Sequence, residues 1–178
     1  MTEQIIVSGF GGQGIMRLGK NLITAAMEEG KNVCFYPSYG PEMRGGDANC
    51  NVIVSDELIG SPIVTEADTV IAMNYPAFLK YEKSVVPGGK LLVNSSIVPV
   101  KSTRTDIDVY YVPANEIADE AGSQKIVNMI MLAAYIELTG AVSPETVMQL
   151  IREQYGERKP QMVAVNEKAM KLGAEAVR

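Results

Sequence analysis

The stretch that most constrains this chain is Ile5-Ile6-Val7-Ser8-Gly9-Phe10-Gly11-Gly12-Gln13-Gly14, followed by a helical run from Ile15 to Glu29. It reads as a buried strand, a glycine-dense turn and an amphipathic helix. Gly9, Gly11 and Gly14 keep the G-x-G-x-x-G spacing, with Gly12 as an extra. That spacing serves a tight turn, a close backbone approach by a ligand and close helix-on-strand packing. Such a turn also aims free backbone N–H groups and the positive helix end at one point, which suits a phosphate or another anion. A turn of this kind can equally pack tightly and bind nothing.

One further feature bears on which ligand fits. A dinucleotide site places Asp or Glu at the end of the second strand, about 20 residues on, to hold ribose hydroxyls. Here the second strand reads Asn32-Val33-Cys34-Phe35-Tyr36 and runs into Pro37-Ser38. No acid stands there, and ordinary NAD binding is disfavoured. The formal net charge of -5 argues against nucleic acid as a partner. The absence of histidine removes Ser-His-Asp and Cys-His mechanisms and His-ligated zinc. Two cysteines, Cys34 and Cys50, cannot hold a four-cysteine iron–sulfur cluster and read as reduced, small apolar residues.

The 178 residues are expected to form one domain with a proper core. Met1-Thr2-Glu3 leads straight into the first strand without a basic and apolar leader. The longest apolar run, Met129 to Ile136, is too short to cross a bilayer. A cytoplasmic location with no membrane contact is expected.

Along the chain, Ile15, Leu18, Leu22, Ala25 and Ala26 recur at helical spacing, and Gly30 is placed to close that helix. The second strand then completes a βαβ unit. Pro37 to Gly46 is a loop rich in proline and glycine. It carries Glu42 and Arg44, of which Arg44 suits a carboxylate or phosphate; a surface loop with a solvated arginine is the alternative.

Ala48 to Ser55 is a strand, with Leu58-Ile59-Gly60 able to pair back as a short hairpin partner. Thr69 to Met73 is another strand, and Asn74-Tyr75-Pro76 starts a helix through about Val85. Pro87-Gly88-Gly89 reads as a turn before the strand Lys90 to Asn94, and Asp108 to Val112 is the last strand. Asn74, Asn94, Ser95 and Ser96 fall at the carboxyl edge of the sheet, as pocket groups or as caps of strands and turns.

Helices are expected near 114–121, 124–139, 144–155 and 160–176, with Ser143-Pro144-Glu145 as a start signal. The run from Gln124 to Thr139 is apolar nearly all round, so the sheet must cover one side. Either a second subunit or the chain's own neighbouring helices cover the other.

These residues leave three readings open: a nucleotide- or CoA-binding subunit of a larger enzyme, a self-sufficient NAD(P) oxidoreductase, and a structural subunit. The missing ribose acid weakens the second.

Gly9-Phe10-Gly11-Gly12-Gln13-Gly14 taken with Ser38-Tyr39-Gly40-Pro41-Glu42-Met43-Arg44-Gly45-Gly46 resembles the gamma subunit of 2-oxoacid:ferredoxin oxidoreductases. Ser61-Pro62-Ile63-Val64 and Asn94-Ser95-Ser96 are similar to that family in order and spacing, and the likeness runs from Ile5 to about Glu137. The phrase around Arg44 is most similar to the 2-oxoglutarate branch. The 2-oxoisovalerate and indolepyruvate enzymes are competitors, and a stand-alone nucleotide-binding domain is the alternative outside the family.

The resemblance implies a Rossmann-like, open, mostly parallel α/β sheet with an antiparallel edge hairpin and a helical C-terminal cover. It implies an assembly with alpha, beta and delta-type subunits that hold thiamine diphosphate, Mg and the iron–sulfur clusters. The assembly would decarboxylate a 2-oxoacid, reduce ferredoxin and pass the acyl group to coenzyme A. Gly11, Gly12, Gln13, Gly14 and Lys20 would face the CoA phosphates, and Arg44 would join them or hold its loop against the catalytic subunit. No catalytic residue and no metal ligand is expected in this chain, which could form a homodimer when isolated.

Overall fold

The computed structural model describes residues 1–39 and 47–178, so Glu42 and Arg44 lie outside the described residues. In chain order the elements are β1 (Thr2–Phe10), α1 (Ile15–Glu28), β2 (Asn32–Tyr39), β3 (Asp47–Ser55), β4 (Ala67–Ala72), α2 (Tyr75–Tyr81), β5 (Val85–Asn94) and β6 (Asp108–Val112). Four helices follow: α3 (Ala114–Ala121), α4 (Val127–Thr139), α5 (Pro144–Tyr155) and α6 (Pro160–Glu175). The strands form one sheet in the order β2-β3-β1-β4-β5-β6. All neighbours run parallel except around β3, which opposes both β2 and β1.

β1 is central because both of its faces are apolar. Ile5 and Val7 join the layer formed by α1, α3, α4, α5 and α6. Ile6 faces the other layer, where Phe78 of α2, Val64 and Val98 cover the sheet. Leu18 and Leu22 bring α1 onto the first layer and are fully buried. Each contributes about 1.5–3 kcal/mol by leaving water.

β1 and β2 run parallel in one sheet, as the βαβ unit requires, and the chain folds back after β2 to insert β3 between them. Three local expectations are corrected. Leu58-Ile59-Gly60 forms no strand. Ser55, the last residue of β3, is already paired with Thr2 on one side and Asn32 on the other, which leaves no open edge there. Pro87-Gly88-Gly89 is not a turn between elements but a bulge inside β5. The register with β4 jumps from Ala67↔Val85 to Thr69↔Lys90, and Gly88 takes a φ of +81° to make the detour. The antiparallel pair and the helical C-terminal cover are present as expected.

Pro37-Ser38-Tyr39, expected in the loop, instead continues β2 against Cys50, Asn49 and Ala48 of β3, which a proline tolerates because β2 is the edge of the sheet. The helix-start signals match local geometry. Asn74 caps α2, its Oδ1 accepting the Ala77 N–H at 2.8 Å, although α2 ends at Tyr81 and a 3-10 turn carries the chain to Ser84. Ser143 caps α5 through the Glu145 N–H. Every residue of α4 from Val127 to Ile136 is buried. Its cover comes from within the chain: α1, α3 and α6 pack around it, and Gly173 of α6 lets the two backbones meet, since a Cβ there would strike the Ile130 carbonyl oxygen.

Candidate functional site

The glycine turn leaves β1 with two left-handed residues, Gly12 at φ +94° and Gly14 at φ +79°. Gly14 is also hemmed in: a Cβ would lie 2.6 Å from Nδ2 of Asn128. With Gly14 as its cap, α1 starts without a capping side chain and without an acid in its first turn. Its first ladder bond is Leu18 N–H to the Gly14 carbonyl at 2.9 Å. The N–H groups of Ile15, Met16 and Arg17 therefore precede the ladder, at the positive end of the helix.

Gln13 closes the crevice between β1 and β4. Its Oε1 accepts the Phe10 N–H at 2.6 Å, and its Nε2 donates to the Met73 carbonyl at 3.0 Å. Gly9 leaves room for this amide, because a Cβ there would collide with Gln13 Oε1 and lie 2.8 Å from the Met73 Cβ. In an open α/β sheet such a crevice, where successive crossovers change side, is the usual ligand seat. Here the side chain of the turn itself fills part of it.

Open space lies beside the turn, on the helical layer. A cavity of about 350 Å³ is bounded by Gly12, Gln13, Gly14 and Arg17, by Asn115 of α3, by Gln124 and Lys125, and by Val127 and Asn128 at the start of α4. Its back wall is cross-braced. Asn94 Nδ2 donates to Asn115 Oδ1 at 2.8 Å, and Asn115 Nδ2 donates to Gln124 Oε1 at 3.0 Å. Gln124 Nε2 returns to the Asn115 carbonyl at 2.9 Å. Asn128, 4% exposed, donates to the Gly14 carbonyl at 3.3 Å and so ties α4 to the turn.

Two cations and no acid stand among the described residues of this wall. In a chain whose net charge is -5, that is a local inversion of sign. A cavity of this size, with fixed amides and two cations, can hold the phosphate part of a ligand.

Of the residues singled out from sequence, Gly12, Gln13 and Gly14 line the cavity. Gly11 does not, nor does Lys20, which is exposed on α1. Arg17 and Lys125 were not singled out. Arg17 was open to detection, since a first-turn residue three places after Gly14 must stand near the helix mouth. Lys125 comes within reach through tertiary folding alone. Asn74 and Ser96 act as caps, Ser96 Oγ accepting from the Asn115 and Glu116 N–H groups, while Asn94 supports Asn115 from behind.

The cysteines take no part. Cys50 is buried against α1 and burial pushes its thiol up to about 12. Cys34 packs in the opposite layer.

Known proteins share this fold. The family described as pyruvate ferredoxin/flavodoxin oxidoreductase matches residues 4–176. The chain belongs to that family. It is 38% identical to the 2-oxoglutarate synthase subunit KorC of Methanocaldococcus jannaschii, over 85% of this chain and 82% of that one. It is 34% identical to the ketoisovalerate oxidoreductase subunit VorA of Methanothermobacter marburgensis, over 98% of this chain and 36% of that one. This chain thus spans about a third of the length of the ketoisovalerate relatives.

Among solved structures, the gamma subunit of a keto/oxoacid ferredoxin oxidoreductase from Geobacter sulfurreducens superposes with a TM-score of 0.84 at 29% identity, covering 99% of this chain and 97% of that one. The 2-oxoglutarate:ferredoxin oxidoreductase from Magnetococcus marinus, solved with 2-oxoglutarate, coenzyme A and succinyl-CoA bound, shares the fold with a TM-score of 0.90 at 24% identity. It covers 99% of this chain, and this chain covers 31% of it.

Proposed function

We propose that this chain is the gamma subunit of a 2-oxoacid:ferredoxin oxidoreductase, with 2-oxoglutarate as the oxoacid, and that its glycine-turn cavity holds the phosphate end of coenzyme A. The observation that carries the reading is the cavity wall: Gly12, Gln13 and Gly14 of the turn beside Arg17 and Lys125, with no carboxylate among its described residues. Coenzyme A brings a diphosphate and a further phosphate on its ribose, and charge-assisted bonds from Arg and Lys are the strong kind for such groups. Lys20, one turn along α1 from Arg17, would meet whatever part of the ligand projects from the mouth. Gly11 would serve by its backbone, and Arg44, outside the described residues, would add a further cation.

The likeness to KorC, a subunit of comparable length, supports 2-oxoglutarate. The likeness to VorA over nearly the whole of this chain makes ketoisovalerate the competing substrate. Thiamine diphosphate, Mg and the iron–sulfur clusters would lie in alpha, beta and delta-type partners, which would carry out decarboxylation and electron transfer to ferredoxin. This chain's own part is to bind and orient an anionic thiol substrate.

The test is a purified complex assayed with 2-oxoglutarate, 2-oxoisovalerate, indolepyruvate and pyruvate, with CoA varied. The reading expects turnover preference for 2-oxoglutarate. In that complex Arg17→Gln should raise KM for CoA about tenfold while leaving KM for the oxoacid in place. Equal movement of both constants, or of neither, would overturn the CoA assignment.

A further inference from the structure

The amino end of the sheet carries a second opening, on the face away from the glycine-turn cavity. β3 ends at Ser55, and the chain that follows becomes part of the layer that holds α2. Val64 is buried there, and Ile59 packs on the same cluster as Ile6 and Ile53. Leu58 and Ile63 do the reverse, with 93% and 56% of their surface in solvent. Between this segment and the sheet lies a groove of about 210 Å³, whose walls include Thr2, Ile53, Glu57, Leu58, Ile59 and Ile63.

The groove is preformed. Ser55 Oγ accepts the Glu57 N–H at 3.0 Å, Asn32 Nδ2 donates to the Glu57 carbonyl at 3.0 Å, and Ser61 Oγ accepts the Ile63 N–H at 3.3 Å. Held in this way, Leu58 and Ile63 lose little further freedom when another surface covers them, and the cover removes apolar area from water. Glu57 on the wall and Asp56 beside it, both exposed, make the rim acidic.

The positions of residues 1 and 178 identify the occupant. The Met1 ammonium meets Asp56 at 2.9 Å, next to the groove. Arg178 meets Glu137 at 2.8 Å, and Tyr135, two residues before Glu137 on α4, reaches Glu3 of β1 at 3.2 Å. Both residues therefore stand at the amino end of β1. The ketoisovalerate relatives match 98% of this chain with 36% of their own length. The rest of their length, whichever end it continues from, leaves this domain at the end that carries the groove.

We propose that the groove seats the companion polypeptide that the longer relatives carry in the same chain, through an apolar side chain of that polypeptide set among lysines or arginines. The proposal rests on the reading of this chain as a subunit, and it adds the contact surface and its chemistry. Leu79 of α2, 58% exposed, extends the apolar surface on the same face toward the area that a stable interface needs.

The experiment purifies the assembled complex with this chain tagged and follows its dissociation on dilution, while light scattering gives the mass of the isolated chain. Leu58→Ser and Ile63→Ser should each weaken the association about tenfold. Glu57→Lys should weaken it about threefold at low salt, and less as salt rises. Met27→Ser, an exposed change on α1, serves as the control, with melting curves showing that each variant folds. KM for CoA in the complex that still forms should stay at the parental value, because the groove and the glycine turn lie at opposite ends of β1.

Dissociation unchanged by both apolar variants would overturn the groove as the seat and leave the CoA reading in place. Self-association of the isolated chain that these variants abolish, with the complex intact, would overturn it too, since the occupant would be a second copy. A tagged chain that brings down no companion would overturn the subunit reading and the groove together.

Discussion

The two ends of β1 hold opposite electrostatic arrangements. At its carboxyl end the chain leaves the sheet through the glycine turn, and two cations, Arg17 and Lys125, line an open cavity. At its amino end Glu3 is drawn partly inside. Its Oε2 accepts from Thr69 Oγ1 at 3.3 Å and from the fully buried Tyr135 hydroxyl at 3.2 Å. Burial pushes the Glu3 carboxyl up from its ordinary value, and the neighbouring Asp68 adds to the push. Burial holds the Tyr135 hydroxyl in its neutral form, with the Glu3 charge reinforcing it. One strand thus carries an open cavity lined by cations at one end and, at the other, a carboxylate already matched by hydroxyl donors of its own chain, so the Glu3 cluster reads as architecture.

The comparison can be broken most forcefully at the open end. Gly14→Ala forces a side chain into a left-handed residue and against Asn128. It should cost about 3 kcal/mol in denaturant unfolding, and a neutral result would show that the turn is free to rearrange. At the sealed end, Tyr135→Phe removes one donor from a half-buried carboxylate and should cost about 1–2 kcal/mol. If instead it weakened CoA binding without loss of stability, the sealed end would have a part in the site.

Glu3→Gln sharpens the sealed end through pH. A carboxyl raised by burial stabilises the fold while protonated, and that contribution is lost as pH rises from the ordinary value of 4.5 through the folded one. The glutamine variant should therefore gain on the parent as pH rises, and stability curves that stay parallel from acid to neutral would refute the reasoning. The smallest effect is expected from Lys20→Gln, a severalfold rise in KM for CoA at low salt that fades as salt screens an exposed charge.

Much of this fold was legible because its signals are local. Gly9 to Gly14 announced a strand, turn and helix, and Ser143-Pro144 and Asn74-Tyr75-Pro76 each marked a helix start at the correct residue. What escaped depends on contacts far apart in the chain. Nothing in residues 32–55 says that β3 slides between β2 and β1, since any of these apolar strands could fill the central place. Leu58-Ile59-Gly60 looked able to pair, but pairing needs a free edge, and only the assembled sheet shows that β3 has none. In the site, the turn was visible from glycine spacing, whereas Lys125 and the Asn94–Asn115–Gln124 brace come from segments that meet only once α3 and α4 have docked.

The burial of α4 on all sides carries a consequence for assembly. A helix already walled in by its own chain has no flank left for a neighbour, so the seam with any companion polypeptide must run elsewhere. Over the opposite face, Leu79 of α2 at 58% and Leu58 at 93% exposure meet solvent, while on the helical layer Met27 of α1 does so as well.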